Sequence, residues 1–281
     1  MDEWLRQRSA QYGALLSEAR ILAEYAFGLS RTQLITADPS ALPASKVEQF
    51  DSLLQRRSLG EPVAYLIAQR EFYGRMFSVS PDVLIPRHDT ETLIEAVLNL
   101  PLPALASVID LGTGSGCIAI TLALERPRWH VTATDISENA LLVAKGNAQR
   151  LGAKVSFISS NWWQAMPAGA FDLIASNPPY IAANDEHLKK GDLRFEPTLA
   201  LTDNFDGLSA YRQIIDGAKP FLNRSNQSMT TAGYLAFEHG YDQAQELAEI
   251  LSQAGCQAIT LYRDLSMQPR VTIAQILVAA G

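Results

Sequence analysis

One segment near the middle of the chain constrains the fold more than any other. It reads "SVIDLGTGSGCIAITLALER" (107–126), an apolar run, then three glycines at every second position, then a second apolar run of helical length. The first run is typical of a buried strand, and residues 116–126 predict a helix. Because the same alternation recurs up to the carboxyl end, we expect an α/β fold with a doubly wound, mostly parallel sheet.

Seven strands are predicted in this part of the chain. With the strand at residues 107–111, they are expected at residues 130–135, 154–159, 171–176, 233–239, 258–262 and 271–278. Further helices are predicted at residues 137–151, 207–222 and 242–254, and a polar loop at residues 223–233.

The amino-terminal part of the chain has a different character. Its apolar residues recur at helical spacing, and Gly28 is a helix-stop signal. Capping-box spacing predicts helix starts at Ser30 and Ser45, and alternating apolar residues around Gly74 predict a short hairpin. The predicted domains are a small helical domain at residues 1–75 for docking the substrate, a hairpin linker at 76–89 and the α/β domain at 90–281.

Composition limits the classes of function. Residues 1–76 hold 9 basic and 9 acidic residues, so the whole net charge of −7 lies in the remainder of the chain. That charge argues against direct nucleic-acid binding. The two cysteines have no metal-type spacing, and we expect no metal site. The polar start and the lack of a long apolar run predict a cytoplasmic protein without a membrane partner.

The glycine loop indicates a ligand site beyond the end of its strand. A dinucleotide fingerprint would place glycine at position 117, where this chain has Cys117. The pattern D-x-G-x-G-x-G is instead associated with S-adenosylmethionine. Asp135 ends the second strand, where a carboxylate can accept hydrogen bonds from both ribose hydroxyls. The expected cofactor-binding residues of the loop are Gly112, Thr113, Gly114, Ser115 and Gly116.

A second motif, "SNPPY", follows the fourth strand of the sheet and therefore faces the same crevice. A planar nitrogen is a poor nucleophile that carries two N–H donors. The Asn177 side-chain oxygen and the Pro178 carbonyl can accept both protons and aim the nitrogen at a methyl donor. Pro178 and Pro179 fix the backbone there, and Tyr180 offers a flat wall. The motif predicts methylation of an amide or an exocyclic amine.

Plainer interpretations remain open at this point. The glycines and Asp135 also suit a tight turn and a helix cap, and Asn-Pro-Pro alone can simply end a strand. A DNA or RNA amino-methyltransferase, acting for instance on adenine N6, needs the same polar groups. A non-catalytic cofactor-binding module is a third candidate. A nicotinamide dehydrogenase is disfavoured by the missing glycine at position 117.

The motifs also resemble those of a known family over nearly the whole chain. They are "EFYG", "LIPRHDTE", "DLGTGSGCIAI", "TDIS", "NWW", "SNPPYI", "EPTLAL", "DGL" and "FEHG", in this order. The chain resembles the bacterial N5-glutamine methyltransferases that modify peptide chain release factors. The resemblance implies a seven-stranded class I S-adenosylmethionine-dependent methyltransferase domain behind a helical domain. It also implies that class I release factors are the partner and that the glutamine of their Gly-Gly-Gln motif is the acceptor, with S-adenosylhomocysteine as product.

The resemblance assigns roles to particular residues. It places Trp162 beside the adenine, with neighbouring Trp163 as the alternative, and it makes Asn177 the residue that holds the substrate amide next to the cofactor. Two positions depart from the family pattern, because His88 replaces a proline and Met267 replaces a glycine. Both departures affect nearby loop geometry rather than the two main motifs. We expect the enzyme to be a monomer.

Overall fold

The computed structural model of the protein describes residues 1–167, 169–222 and 230–279. The chain divides into two compact units. The first contains Met1–Gln69 and Lys189–Phe195, and the second contains Arg70–Leu188 and the chain from Glu196 onwards. This division falls six residues before the predicted domain boundary at residue 75, and it places the hairpin in the second unit. It also gives the first unit a distant segment that the sequence pattern did not reveal.

The first unit consists of short helices around one apolar core. Its main helices are α1 (Asp2–Tyr12), α2 (Leu16–Phe27), α3 (Arg31–Thr36), α4 (Ala44–Ser58) and α5 (Val63–Leu66). The core is made by fully buried side chains such as Leu22, Phe50 and Leu54. Burial of this kind stabilises a small unit by about 1.5–3 kcal/mol for each large side chain. The segment Lys189–Phe195 is joined to it by an Arg57–Asp192 ion pair of 2.9 Å.

The helix-start signals of this unit were half right. At Ser30 the predicted capping box is confirmed. Ser30 Oγ accepts from Gln33 N, and Gln33 Oε1 accepts from Ser30 N. At Ser45 the prediction was wrong. Helix α4 already begins at Ala44, behind Pro43, and it has no side-chain cap. Pro43 is the N-cap residue, with φ −59° and ψ 134°, and its missing N–H costs no hydrogen bond of the helix that begins after it.

The second unit opens with the predicted hairpin. Strands β1 (Gln69–Phe72) and β2 (Arg75–Ser78) form a two-stranded sheet. The two residues between them, Tyr73 and Gly74, have φ angles of 49° and 71°, which is the left-handed conformation that tight hairpin turns require.

The main sheet has seven strands in the order β5-β4-β3-β6-β7-β9-β8. They are β3 (Ser107–Leu111), β4 (His130–Asp135), β5 (Val155–Ser159), β6 (Leu173–Ser176), β7 (Thr230–Glu238), β8 (Cys256–Arg263) and β9 (Pro269–Ala279). Pairing is parallel from β5 to β7 and antiparallel for the last two strands. The prediction of a seven-stranded, mostly parallel sheet is confirmed. Buried apolar runs such as β3 and β6 suit its centre, which is covered on both faces.

The helices of the second unit lie between the strands in sequence. They are α6 (Glu91–Leu98), α7 (Cys117–Glu125), α8 (Glu138–Leu151), α9 (Thr198–Leu201), α10 (Ser209–Ala218) and α11 (Ala244–Gln253). The predicted helix 207–222 ends at Ala218 and continues as a 3-10 turn that contains Pro220. Residues 223–229 of the predicted polar loop lie outside the described residues, and its last residues belong to β7. Among the described residues, no helix combines the length and the apolarity that a membrane crossing requires.

The sheet order creates a switch point beside β3. Strand β3 pairs with β4 on one side and with β6 on the other, so the connections run in opposite directions from it. Leu111 is in register with Thr134 of β4 and with Ser176 of β6. The chain after all three strands therefore emerges at one edge of the sheet, where ligands of such folds bind.

Candidate active site

A cavity of about 330 Å³ opens at this edge of the sheet. Its volume is within the range of small-molecule sites. The lining residues come from the segments 82–90, 112–118, 135–140, 160–162, 177–179 and 197–200, all in the second unit. The glycine loop, the end of β4, the tryptophan pair and the Asn-Pro-Pro turn therefore meet around one space.

The glycine loop bends sharply at the mouth of the cavity. Gly112, Gly114 and Gly116 have φ angles of 74°, 55° and 83°, a region that favours glycine. A Cβ on Gly114 would have no atom within 4 Å, whereas one on Gly116 would lie 2.7 Å from Ile120 Cδ1. Gly112, Thr113, Gly114 and Ser115 line the cavity, and Gly116 instead lets α7 pack closely.

Asp110 holds the loop from inside. Its Oδ2 accepts from the Thr113 hydroxyl at 2.6 Å and from Ala119 N at 3.3 Å. The carboxyl group is fully buried, and burial raises its pKa to about 7, against the effect of those hydrogen bonds. Sequence reasoning missed this role, although the acid opens the glycine motif.

Asp135 joins the loop to the end of β4. Its Oδ2 accepts from Gly114 N and its Oδ1 from Ser137 N, both at 2.9 Å. Burial raises its pKa, and the backbone hydrogen bonds oppose that rise. Because each carboxylate oxygen has a further lone pair, the group can also accept hydrogen bonds from a ligand in the cavity.

The two neighbouring tryptophans lie in different surroundings. Trp162 lines the cavity, and its ring lies 3.5 Å from where a Cβ of Gly112 would be. Trp163 packs into the core, where its ring stacks on Phe221 with 4.7 Å between centroids and Nε1 donates to Ile214 O at 3.0 Å. The structure therefore brings Trp162, and not Trp163, to the cavity.

The Asn-Pro-Pro-Tyr turn reaches the cavity only in part. Asn177 and Pro179 line it, whereas Pro178 is buried and Tyr180 packs against the core formed by β6, β7 and α10. Gln243 Nε2 fixes the backbone of the turn by donating to Tyr180 O at 2.9 Å. Burial, together with the nearby carboxylate of Glu238, raises the pKa of the Tyr180 hydroxyl.

Sequence reasoning gave no site role to Thr90 and Glu238, which lie beside Asn177. Arg270 lies near the Glu238 carboxylate. Glu238 is 1% exposed, and its burial raises its pKa to about 7. An acid at the end of an apolar central strand, in "LAFEHG", was the available signal.

A cation also borders the cavity. Arg87 lines it, and its guanidinium is paired with the buried carboxylate of Glu196, which also accepts from Ile85 N at 2.9 Å. Of the two departures from the family pattern, His88 is exposed and bonds to Glu91 Oε1 at 3.0 Å. Met267 has a φ of 63°, so it occupies a conformation that suits the glycine it replaces.

This strand order, glycine loop and polar turn at one sheet edge define a class I methyltransferase. Family models agree, because "Methyltransferase small domain" matches residues 88–192 and "PrmC N-terminal domain" matches residues 3–67. The release factor glutamine methyltransferase of Bordetella pertussis is 46% identical over 95% of this chain and 97% of its own. That of Neisseria gonorrhoeae is 46% identical over 98% and 97%. The chain belongs to the release factor glutamine methyltransferase family.

Solved structures support the fold. A methyltransferase from Pyrococcus furiosus matches with a TM-score of 0.53 at 18% identity, covering 78% of this chain and 95% of that one. At this identity the likeness concerns the fold alone, and the family assignment rests on the sequence relatives.

Proposed function

We propose that the protein transfers a methyl group from S-adenosylmethionine to the side-chain amide nitrogen of the glutamine in the Gly-Gly-Gln motif of class I peptide chain release factors. The observation that carries the proposal is that Asn177 and Asp135 border the same cavity in a chain of this family. Asn177 suits the amide nitrogen of the substrate, and Asp135 suits the ribose of the cofactor.

The residues around the cavity fit the proposed cofactor. Asp135 has carboxylate lone pairs for the two ribose hydroxyls, and Gly114 leaves open space beside it. Trp162 offers an aromatic face for the adenine. The backbone of Gly112 and its neighbours Thr113 and Ser115 would border the rest of the molecule.

The residues after β6 suit an amide substrate. S-adenosylmethionine bound there would supply an electrophilic methyl group on its sulfonium, with S-adenosylhomocysteine as the leaving group. The Asn177 side-chain oxygen and the Pro178 carbonyl accept hydrogen bonds from the two N–H groups of the substrate amide. These bonds fix the nitrogen and favour the positive charge that develops on it. The nitrogen then loses one proton to water. Pro179 and Tyr180 support the turn that holds these two acceptors.

The helical unit is proposed to contact the release factor away from the Gly-Gly-Gln motif. A second contact raises the effective concentration of the glutamine at the cavity. Because release factors act in translation, we place the protein in the cytoplasm, and we propose that it acts as a monomer. The KM for an intact release factor should lie well below that for a short Gly-Gly-Gln peptide. Equal KM values would contradict the docking role.

The proposal is tested by transfer of a labelled methyl group. The purified protein is incubated with labelled S-adenosylmethionine and a class I release factor, with the Gly-Gly-Ala variant of the factor in parallel. Label on the wild-type factor alone is the expected result. If cofactor binds but neither factor is labelled, the substrate assignment is wrong, and oligonucleotides become the next substrates to test.

A further inference from the structure

A buried acid lies next to the Asn-Pro-Pro turn. Strands β6 and β7 pair in parallel with Ser176 opposite Phe237. The next residue on each strand is therefore Asn177 and Glu238, side by side at the cavity edge of the sheet. Glu238 is 1% exposed and does not itself line the cavity. It lies behind two residues that do, Asn177 and Thr90.

These three side chains lie together at the ends of the strands. Thr90 and Asn177 both lie near enough to the Glu238 carboxylate to favour its ionised form. Asn177 Nδ2 also lies 3.4 Å from Thr90 Oγ1, which is long for a hydrogen bond. Within the described part of the chain, Glu238 Oε2 has no hydrogen-bond partner. A buried carboxylate oxygen in this state is an available acceptor for an N–H donor.

The charges around Glu238 come from several elements. Arg270 on β9 is 12% exposed and favours the ionised carboxylate, and Asp89 ahead of α6 opposes it. Arg270 is itself held by Asp264 at 3.2 Å and by Asp89 at 3.3 Å. The other titratable groups that face the carboxylate belong to Tyr180, Tyr211, Cys117 and the adjoining His239.

The carboxylate of Glu238 determines which end of the Asn177 side-chain amide faces it. An amide has an oxygen at one end and an NH₂ group at the other, and the two ends have nearly the same shape. An ionised carboxylate only accepts hydrogen bonds, so it selects the orientation in which Nδ2 faces it. The Oδ1 atom is then turned away from Glu238, towards the cavity that Asn177 lines.

We propose that Glu238 is a positioning residue that fixes the side-chain amide of Asn177 with its oxygen towards the acceptor nitrogen. The inference rests on the proposed function, because only a substrate with N–H donors needs that orientation. Thr90 relays the same constraint, since its hydroxyl can donate to the carboxylate while accepting from Asn177. Without the carboxylate, the amide can turn over and present NH₂ groups to the substrate N–H groups.

The test compares the wild type with Glu238→Gln. The glutamine keeps the shape of the side chain, but its amide can either accept or donate a hydrogen bond, so it does not select one orientation of Asn177. The kcat for methylation of the release factor should fall about 10-fold to 100-fold. The Kd of S-adenosylmethionine and the KM of the release factor should stay within about twofold, because the side chain touches neither. The exposed residue Glu246 supplies the matched control, Glu246→Gln, which should leave all three values unchanged.

A pH profile separates positioning from simple support of the fold. Protonated Glu238 becomes a donor and no longer selects the orientation of the amide. The kcat of the wild type should therefore decline as the pH falls through the pKa of about 7, and the Glu238→Gln variant should lack that decline. Wild-type kcat in the variant, or an unchanged acid decline, would overturn the proposal.

A spectroscopic readout makes the test independent of the substrate. In protein with nitrogen-labelled asparagine, the Nδ2 resonance of Asn177 should show carboxylate hydrogen bonding in the wild type and lose it in Glu238→Gln. The Asn177→Ala variant assigns the resonance. An unshifted resonance would overturn the positioning role even if methylation is seen. Absent methylation by the wild type, with the resonance shifted as expected, would instead overturn the proposed function alone.

Discussion

The backbone N–H of Gly114 donates to Asp135 Oδ2 over 2.9 Å. This bond connects the tip of the glycine loop with the end of the neighbouring strand. The same carboxylate also accepts from Ser137 N, ahead of helix α8. Asp135 therefore shapes the cavity before any ligand arrives, and it keeps further lone pairs for one. Such preorganisation reduces the ordering that binding requires.

Asp135 should dominate the affinity for the cofactor. The change Asp135→Asn removes the charge and replaces one accepting oxygen with a donor. We expect the Kd of S-adenosylmethionine, measured by titration calorimetry, to rise about 10-fold to 100-fold, the value of one or two hydrogen bonds to a charged group. The exposed neighbour Glu138 supplies the control Glu138→Gln, which should bind normally. Equal Kd values for wild type and Asp135→Asn would refute the ribose role.

The two tryptophans should separate binding from stability. Trp162→Ala should raise the Kd of the cofactor about 10-fold, because an aromatic face for the adenine is lost. Trp163→Ala should instead lower the free energy of unfolding by about 3–5 kcal/mol, since it empties a packed site beside Phe221. Urea unfolding and cofactor titration of both variants provide the check. The reverse pattern would show that Trp163 is the ligand contact.

Asn177→Ala should abolish most turnover and leave the affinity for the cofactor nearly unchanged. The side chain supplies one of the two acceptors for the substrate amide, and the loss of such a group costs about 100-fold to 1,000-fold in kcat. Cofactor affinity should change little, because the ribose and adenine contacts remain. Single-turnover methylation and cofactor titration measure the two effects. Full methylation by this variant would remove Asn177 from the mechanism.

Burial of Asp110 should make stability depend on pH. Its pKa is about 7 in the folded protein and 3.8 in the ordinary state, so folding favours the protonated form. This contribution is complete below pH 3.8 and is lost as the pH rises through about 7. Asp110→Asn should reduce the fall in unfolding free energy between pH 5 and about pH 8. The pKa of Glu238 is raised as well, so Glu238 contributes to the fall in unfolding free energy in both proteins.

Urea unfolding of the wild type and of Asp110→Asn at both pH values measures this difference. The comparison uses the change with pH rather than the absolute stability, because the new amide also changes the hydrogen bonding at the site. An equal fall in both proteins would show that Asp110 is ionised throughout.

Met267 should be a strained position. Its φ of 63° is unfavourable for a side chain, and 68% of the residue is exposed, so little packing is lost on substitution. Met267→Gly should raise the free energy of unfolding by about 0.5–1 kcal/mol. The neighbouring residue gives the control, because Ser266 does not have a positive φ, and Ser266→Gly should destabilise by a similar amount. Thermal unfolding that ranks the two variants in the opposite order would contradict the strain.

Much of the fold was predictable because it depends on local patterns. The strand, glycine loop and helix around Gly112 have one physical solution, since only an α/β switch point places such a loop at a sheet edge. The segment 189–195 escaped prediction because its place in the first unit depends on distant partners, such as Arg57 for Asp192. No local periodicity encodes that kind of contact.

The sequence predicted several of the residues that line the cavity. It did not predict the residues that act through other side chains. Asp135 ends β4 and Asn177 directly follows β6, so topology brings them together. Glu238 lies behind the cavity and Thr90 lies in its wall, and their places depend on the register of β7 and on the path of the chain before α6. Which of Trp162 and Trp163 reaches the cavity was likewise beyond the sequence, because it depends on the local backbone conformation, in which Trp162 has a positive φ of 49°.

The most direct test of the central claim is the chemical identity of the methylated atom. A class I release factor is treated with the protein and S-adenosylmethionine, digested, and sequenced by tandem mass spectrometry. We expect one added methyl group on the glutamine of Gly-Gly-Gln, and acid hydrolysis of that peptide should release methylamine from the amide nitrogen. A methyl group on any other residue, or none in the presence of bound cofactor, would contradict the account.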